Sequence, residues 1–296
     1  MPSALLEKND REPVQTLAMS VDVEDYFQVW AFSKVIDRAS WHGFTPRFGK
    51  ATRRVLDLFD KYDAKATFFT LGWIAQRDRA LVREIVARGH ELASHGYDHA
   101  KVYEQSREEF REDVGRTKML LEDIAGVEVA GYRAPGFSIG AATPWAYETL
   151  ARLGYRYSSS AHPIAHDHYG DPGAPQSLHY PLGGVDFVEA PVATAELFGR
   201  RVSCAGGGWF RAMPYALTRR LLAQARNTLD GPVIFYFHPW EIDPAQPRVR
   251  SASLGARMRH YHNLAGTEQK LTRLLEDFQW GRIDVALGVS AIRAAA

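Results

Sequence analysis

The order of elements in this chain predicts an α/β fold built on a parallel sheet that is closed into a barrel or doubly wound. Three observations carry that expectation. Short apolar runs alternate with segments of helical spacing through the first half of the chain, and the same alternation resumes after an interruption at residues 159–211. At 296 residues, with 46% hydrophobic and 24% charged residues, the chain is long enough for one large domain with a sizeable core.

Residues 17–23 alternate as a strand, and residues 47–62 place Val55, Leu56 and Phe59 at helical spacing among charges. Residues 66–71 then read as a strand, 79–88 as a helix, 91–94 as a short strand, 107–124 as a long helix and 129–132 as a strand. Thr143 or Pro144 starts the next helix, Gly154 stops it, and residues 155–158 are extended. Residues 159–211 are rich in Pro, Gly, His and Tyr, with a strand-like stretch at 185–192 and the run Gly206-Gly207-Gly208. They read as an irregular insertion with hairpins. A helix at 214–229, a strand at 233–237, a helix at 267–278 and a last strand at 284–287 complete the pattern. The resulting organisation is a polar leader at 1–16 and a single domain at 17–296, whose stretch from about 242 onward is a C-terminal extension.

Lys and Arg number 36 against 35 Asp and Glu, so the net charge of +1 gives no electrostatic footprint for nucleic acid. Cys204 is the only cysteine, which excludes an internal disulfide and suits a reducing compartment. Residues 1–16 mix both charge signs without the apolar run of a signal peptide. The longest apolar stretches, such as 233–237, fall far below the roughly 20 residues that cross a bilayer. A cytoplasmic protein, working in part at the inner face of the membrane, is the expectation, and a homo-oligomer is compatible with it.

The chemistry-bearing residues sit where strands end. In Leu17-Ala18-Met19-Ser20-Val21-Asp22-Val23-Glu24-Asp25, strand alternation puts Asp22 and Glu24 on one face, opposite Val21 and Val23, with Asp25 turned away. Parallel α/β folds place their active sites at that end of the strands. His95-Gly96-Tyr97-Asp98-His99 follows another strand, and its i, i+4 spacing sets both imidazoles on one face of a helical turn. Two histidines and one carboxylate make a three-ligand site with open positions, suited to Zn2+ or another divalent first-row ion. His238 ends the apolar run Ile234-Phe235-Tyr236-Phe237 as an acid or base, and Arg133 follows a strand as a partner for a carboxylate. Trp73, Trp209 and Trp240 lie beside these motifs, where flat rings stack on sugar faces.

Taken in order, the acidic strand end, His-x-x-x-His, Arg-x-Pro and strand-terminal His resemble the motif series of the NodB-type polysaccharide deacetylases, also called carbohydrate esterase 4-like, across residues 20–241. The wording Ser-Val-Asp-Val-Glu-Asp-Tyr-Phe, Gly-Gly-Gly-Trp-Phe-Arg and Phe-His-Pro-Trp-Glu-Ile-Asp-Pro, continuing into Arg259-His260-Tyr261-His262-Asn263-Leu264, is similar to a bacterial branch associated with exosortase and exopolysaccharide gene clusters. The resemblance implies a distorted (β/α) barrel and removal of N-acetyl groups from the amino sugars of a bacterial exopolysaccharide or its precursor. It implies Asp22 as general base, His238 as general acid, Arg133 as the group that orients Asp22, and His95 and His99 as ligands of a divalent metal, Zn2+ above all. Trp209, Trp240, Phe137 and Tyr97 are then the residues expected to touch substrate.

Three departures stand out. A valine separates Asp22 from Glu24 where the family's common first motif has adjacent aspartates, so the third ligand is Glu24 by strand geometry with Asp25 as the fallback. The aromatic after Arg-x-Pro is displaced to Phe137 by Gly136. Ser158-Ser159-Ser160 occupies the region where many relatives carry an aspartate that tunes the acid histidine, leaving Asp167, Asp171, Asp186 and Glu241 as substitutes. The rival readings are a hydrolase of a small amide, resembling allantoinase on the same barrel, and a catalytically silent glycan-binding protein. An Fe(II) oxygenase also uses two histidines and a carboxylate, but the β/α order opposes it.

Overall fold

A computed structural model describes residues 17–166, 170–184 and 186–289. The polar leader, Asp167, Val185 and residues 290–296 lie outside the described residues. Nine strands form among the described residues: β1 (Leu17–Val23), β2 (Ala66–Thr70), β3 (Glu91–Ser94), β4 (Gly131–Tyr132), β5 (Tyr157–Ser158), β6 (Val188–Glu189), β7 (Thr194–Leu197), β8 (Arg200–Ser203) and β9 (Val233–Phe237). Seven of them make one parallel sheet in the order β6-β5-β4-β3-β2-β1-β9, while β7 and β8 pair as a separate antiparallel hairpin. The sheet curls into a distorted barrel. Its open side is spanned by single parallel bridges, Val192 to Ile234 and Gly206 to Tyr236, instead of an eighth strand.

All seven residues of β1 are buried, because one face meets helices and the other lines the barrel interior. The helices α1 (Phe48–Lys61), α2 (Gly72–Arg77), α3 (Arg79–Ala87), α4 (Arg107–Ala125) and α5 (Trp145–Arg152) pack outside the first five strands. Their apolar positions recur at helical spacing: α1 buries Phe48, Ala51, Val55, Leu56 and Phe59. The start of α4 is set by a reciprocal Ser106/Glu109 cap, and its stop by Gly126 in the left-handed region. Further along are α6 (Gly207–Ala212), α7 (Tyr215–Thr228), α8 (Leu254–Tyr261), α9 (Leu264–Asp277) and α10 (Ile283–Ala286).

Two elements differ from the sequence reading. The stretch expected as a last strand at 284–287 is the helix α10. From Met19 on, both edges of β1 are taken by β2 and β9, so the returning chain pairs with β1 only at its start, through an Ala18–Gly281 bridge. The backbone N–H groups of Ile283 and Asp284 bond the Thr67 hydroxyl and the Glu91 carboxylate instead of a ladder. The insertion at 159–211 does hold a hairpin, yet its Val188–Glu189 joins the main sheet in parallel.

One glycine is required by the approach of two chains. Gly206 sits at φ 123°, and a Cβ there would lie 1.7 Å from the Tyr236 carbonyl oxygen. Only glycine lets this segment close on β9 and start α6 beside the strand's end.

Candidate active site

The sheet register collects the predicted residues on one rim. Val21 pairs with Phe237, Val23 with Thr70, Thr70 with Ser94, and Ser94 with Tyr132. Asp22, Glu24, His95, Arg133 and His238 therefore leave neighbouring strands at nearly one level, at the C-terminal end of the sheet.

Glu24 Oε1 lies 3.2 Å from His95 Nε2 and 3.0 Å from His99 Nε2, all three residues being buried. Nδ1 of His95 is 2.8 Å from the Arg133 carbonyl, which only accepts, so this nitrogen carries the proton. In a neutral ring Nε2 then presents a lone pair to the Glu24 carboxylate. That arrangement repels unless a cation or a second proton lies between, which is the donor chemistry of a divalent metal site with an oriented histidine. Burial by itself raises the Glu24 carboxyl, but His99, His238 and His95 together hold it well below its usual range.

The two histidines are not presented by a helical turn. Residues 95–100 are irregular, with Gly96 at φ 71° and His99 at φ 61°, and the left-handed turn brings the second ring back to the first. The same turn sends Tyr97 away from the rim. Its ring lies under the Arg116 guanidinium and its hydroxyl meets Gln76, so Tyr97 lines no part of the cavity, contrary to expectation. Trp73 is likewise core, edge-on to Phe27, Trp41 and Phe48. Of the two acids after β1, Glu24 stands with the histidines. The Asp25 carboxylate accepts from the backbone N–H groups of Tyr26, Arg47 and Phe48, and burial pushes it up to about 6.

Asp22 is held from across the barrel. Arg133, fully buried, donates to Asp22 Oδ1 at 2.7 Å and to the Ser20 hydroxyl at 2.8 Å, while its other nitrogens meet the Ser159 carbonyl and hydroxyl. The Ser158-Ser159-Ser160 run thus seats the arginine. Glu189 fixes the run by accepting from the N–H groups of Ser160 and Ala161.

His238 faces Asp22 and Glu24 with Nε2, at 3.9 and 3.7 Å. Behind it Nδ1 meets Glu241 Oε1 at 2.6 Å, and Glu241 Oε2 accepts from Arg211 Nε at 2.8 Å. Burial opposes a charge on the ring, but Glu24, Glu241 and Asp22 outweigh it and raise His238 to about 9. Glu241 itself is lowered: burial disfavours its charge, but Arg211 and His238 more than offset this. Asp171 and Asp186, the other described candidates for this place, make no such contact. Trp240 stacks on His238 at 5.2 Å and His260 on Trp240 at 4.3 Å, fixing the ring plane.

These groups open into a cavity of about 490 Å³, walled by Trp30, Phe137, Trp209, Tyr236 and Trp240. Arg211, Ser159 and His260 were not singled out as site residues in the sequence. Arg211 ends the Gly-Gly-Gly-Trp-Phe-Arg motif, which is where a signal lay.

Fold and site together define a parallel α/β barrel whose rim carries a His/His/Glu cluster between a held carboxylate and a buried histidine. Residues 41–158 match the polysaccharide deacetylase family, and residues 159–288 match a domain of unknown function, DUF3473. The polysaccharide deacetylase match thus covers the stretch that holds His95, His99 and Arg133. It is 33% identical over 105 residues to a peptidoglycan-N-acetylglucosamine deacetylase of Bacillus cereus, covering 36% of this chain and 47% of that protein. The chain therefore spans less than half of that relative's length. A crystal structure from Mycobacterium smegmatis assigned to the polysaccharide deacetylases superposes with a TM-score of 0.61 at 20% identity, covering 97% of this chain and 93% of the other. Puue allantoinase superposes at 0.58 with 15% identity, covering 98% and 97%. At these identities the two structures speak for the fold alone. The distorted barrel expected from sequence is thus found. No helix among the described residues is long and apolar enough to cross a membrane.

Proposed function

We propose that this protein hydrolyses the acetamide of N-acetylated amino sugars in a bacterial glycan, an exopolysaccharide or its precursor, releasing acetate and a free amine. The observation that carries the reading is the opposition of Asp22 and His238 across the Glu24/His95/His99 cluster, Oδ2 to Nε2 at 3.9 Å. A divalent cation held by Glu24, His95 and His99, for which Zn2+ suits the two-nitrogen, one-oxygen set, supplies Lewis acidity toward the acetamide carbonyl and an acidified water.

The chain's own residues do the rest. Asp22, its Oδ1 held by Arg133, offers Oδ2 to take the proton from the attacking water. The water oxygen bonds the carbonyl carbon, and the C–N bond breaks. His238, whose Nδ1 is bound to Glu241, gives the Nε2 proton to the departing nitrogen, so that a neutral amine leaves. Phe137, Trp209 and Trp240 present flat faces for the sugar rings, and Arg133 is too enclosed to meet substrate.

A small cyclic amide is the second substrate class compatible with the barrel. The shape of the site supports the glycan instead: the cavity shares Val29, Trp30, His99 and Lys101 with a neighbouring hollow of about 700 Å³, an extent that suits linked sugars. Acetate release from N-acetylated oligosaccharides by zinc-loaded protein, set beside Asp22→Asn and His238→Ala, tests the assignment. Wild-type-like turnover in both variants would overturn it, and allantoin hydrolysis without acetate release would favour the rival.

A further inference from the structure

Among the described residues only three Lys or Arg side chains are buried: Arg133, Arg211 and Lys101. Arg133 is paired with Asp22 and Arg211 with Glu241. Lys101, 5% exposed, has no carboxylate within ion-pair distance. Its ammonium donates to the Tyr103 hydroxyl at 2.7 Å and lies 4.8 Å from the centre of the Trp30 ring. Two residues past His99, it lines both the main cavity and the neighbouring hollow, at the junction of the two.

An ammonium taken out of water without a counter-ion is costly, and an aromatic face offsets only part of that cost. The carboxylates that wall the main cavity do not answer it. Asp22 faces Arg133, Glu241 faces Arg211, and Glu24 faces the two histidines. Among the described residues that wall the cavity, Lys101 is thus the buried cation left without a carboxylate, and it faces the space a substrate would fill.

We infer that Lys101 is a specificity-determining residue that receives an anionic group, a carboxylate or a phosphate, carried by the acetamido sugar or by the unit next to it. The inference rests on the deacetylase reading for the sugar but not for the anion. A compact, three-donor ammonium suits a tetrahedral phosphate or a single carboxylate oxygen equally, so the two sources of negative charge are separated by experiment.

Binding is measured by calorimetry on the zinc-loaded full chain with two matched pairs. The first is a hyaluronan tetrasaccharide, which alternates N-acetylglucosamine with glucuronic acid, against its carboxyl-reduced form. The second is N-acetylglucosamine 1-phosphate against methyl N-acetylglucosaminide. The anionic member of one pair is expected to bind about tenfold tighter or better, and the pair that shows this names the source. In Lys101→Met the preference collapses to within about twofold, and in Lys101→Arg it is largely retained. Equal affinities within both pairs for the wild type would overturn the inference. So would a preference that survives Lys101→Met, or a loss that is equal for charged and neutral members. Acetate release is followed in the same samples. A binding preference without any acetate would remove the deacetylase reading alone, whereas acetate release with equal kcat/KM on charged and neutral members would remove the role of Lys101 alone.

Discussion

Replacing Glu241 by Gln keeps the shape of the side chain and removes the charge that sits 2.6 Å from His238 Nδ1. Glu241 now accepts from His238 on one oxygen and from Arg211 on the other. A glutamine can satisfy only one of them with its oxygen. If that oxygen stays with Arg211, the amide N–H₂ faces Nδ1, which must then be a lone pair, and the ring is held neutral. A hydrogen bond to a charged group is worth about 1.5–3 kcal/mol, and one pKa unit corresponds to about 1.4 kcal/mol, so the histidine's pKa should fall by about 1–2 units. The sign follows from the role. In the proposed general-acid role His238 acts when protonated, so turnover would hold below its folded-state pKa and be lost as pH rises through it. Its value is about 9 with Glu24 as a free carboxylate, and Glu241 and Asp22 still raise it when a cation occupies Glu24. A cation on Glu24 cancels that carboxylate's share of the raising, which leaves Glu241 the main anion at the ring and makes the substitution weigh more in the loaded enzyme. The assay is kcat/KM for acetate release across pH 6 to 10, an interval of about four units chosen to bracket that limb. An alkaline limb unmoved in Glu241→Gln, with activity otherwise intact, would refute the role given to the Arg211–Glu241–His238 chain.

Other substitutions separate roles that lie close together. Asp22→Asn should lower kcat by about 10²–10⁴ while zinc content by mass spectrometry stays near one per chain, because the base is lost and the Glu24/His95/His99 set is kept. Glu24→Ala should weaken zinc binding by about tenfold or more with a modest change in urea midpoint. Asp25→Ala should do the opposite, leaving zinc in place and costing about 1–3 kcal/mol, since three backbone N–H groups lose their acceptor. A reversal of that pattern would return the third-ligand role to Asp25. Arg133→Met should cost about 3–5 kcal/mol in urea unfolding, because Asp22 would be left buried without its partner. A loss under about 1 kcal/mol would mean that Ser20 and nearby solvent suffice to hold the carboxylate.

Much of this site was readable from local pattern, for a reason that lies in strand geometry. A strand has a period of two, so Ser20, Asp22 and Glu24 share a face as soon as 17–23 is read as a strand, and parallel sheets gather strand ends on one rim. His95, Arg133 and His238 each follow such a run. Where the backbone leaves regular geometry the reading fails. The helical turn expected between His95 and His99 is absent: positive φ at Gly96 and His99 reverses the chain, and Tyr97, expected to touch substrate from the family resemblance, lies on the Arg116 side. The strand expected at 284–287 failed differently. Its residues suit a strand, but no free sheet edge remained at β1 to receive it.

The two matched segments meet in this site. Residues 41–158 supply His95, His99 and Arg133, whereas residues 159–288 supply His238, Glu241, Arg211 and the stacked Trp240 and His260. Because β6 and β9 lie at opposite ends of the sheet, the second segment holds both edges of the barrel, while the first supplies β2 to β5 and β1, which precedes both matches, completes the middle.

By itself the sequence determined the α/β class, the strand ends that carry Asp22, Glu24, His95, Arg133 and His238, and the presence of two histidines and a carboxylate able to hold a metal. Each of these depends on short-range periodicity, which a strand or a spacing displays along the chain. Only the tertiary structure decided that Glu24 and not Asp25 stands beside the histidines, and that Glu241 and Arg211 back His238. It alone left Lys101 buried without a counter-charge. His238 and Glu241 are only three positions apart, but the Arg211 that holds Glu241 comes from 30 positions away and His99 meets Glu24 from farther still, and no local pattern encodes such meetings.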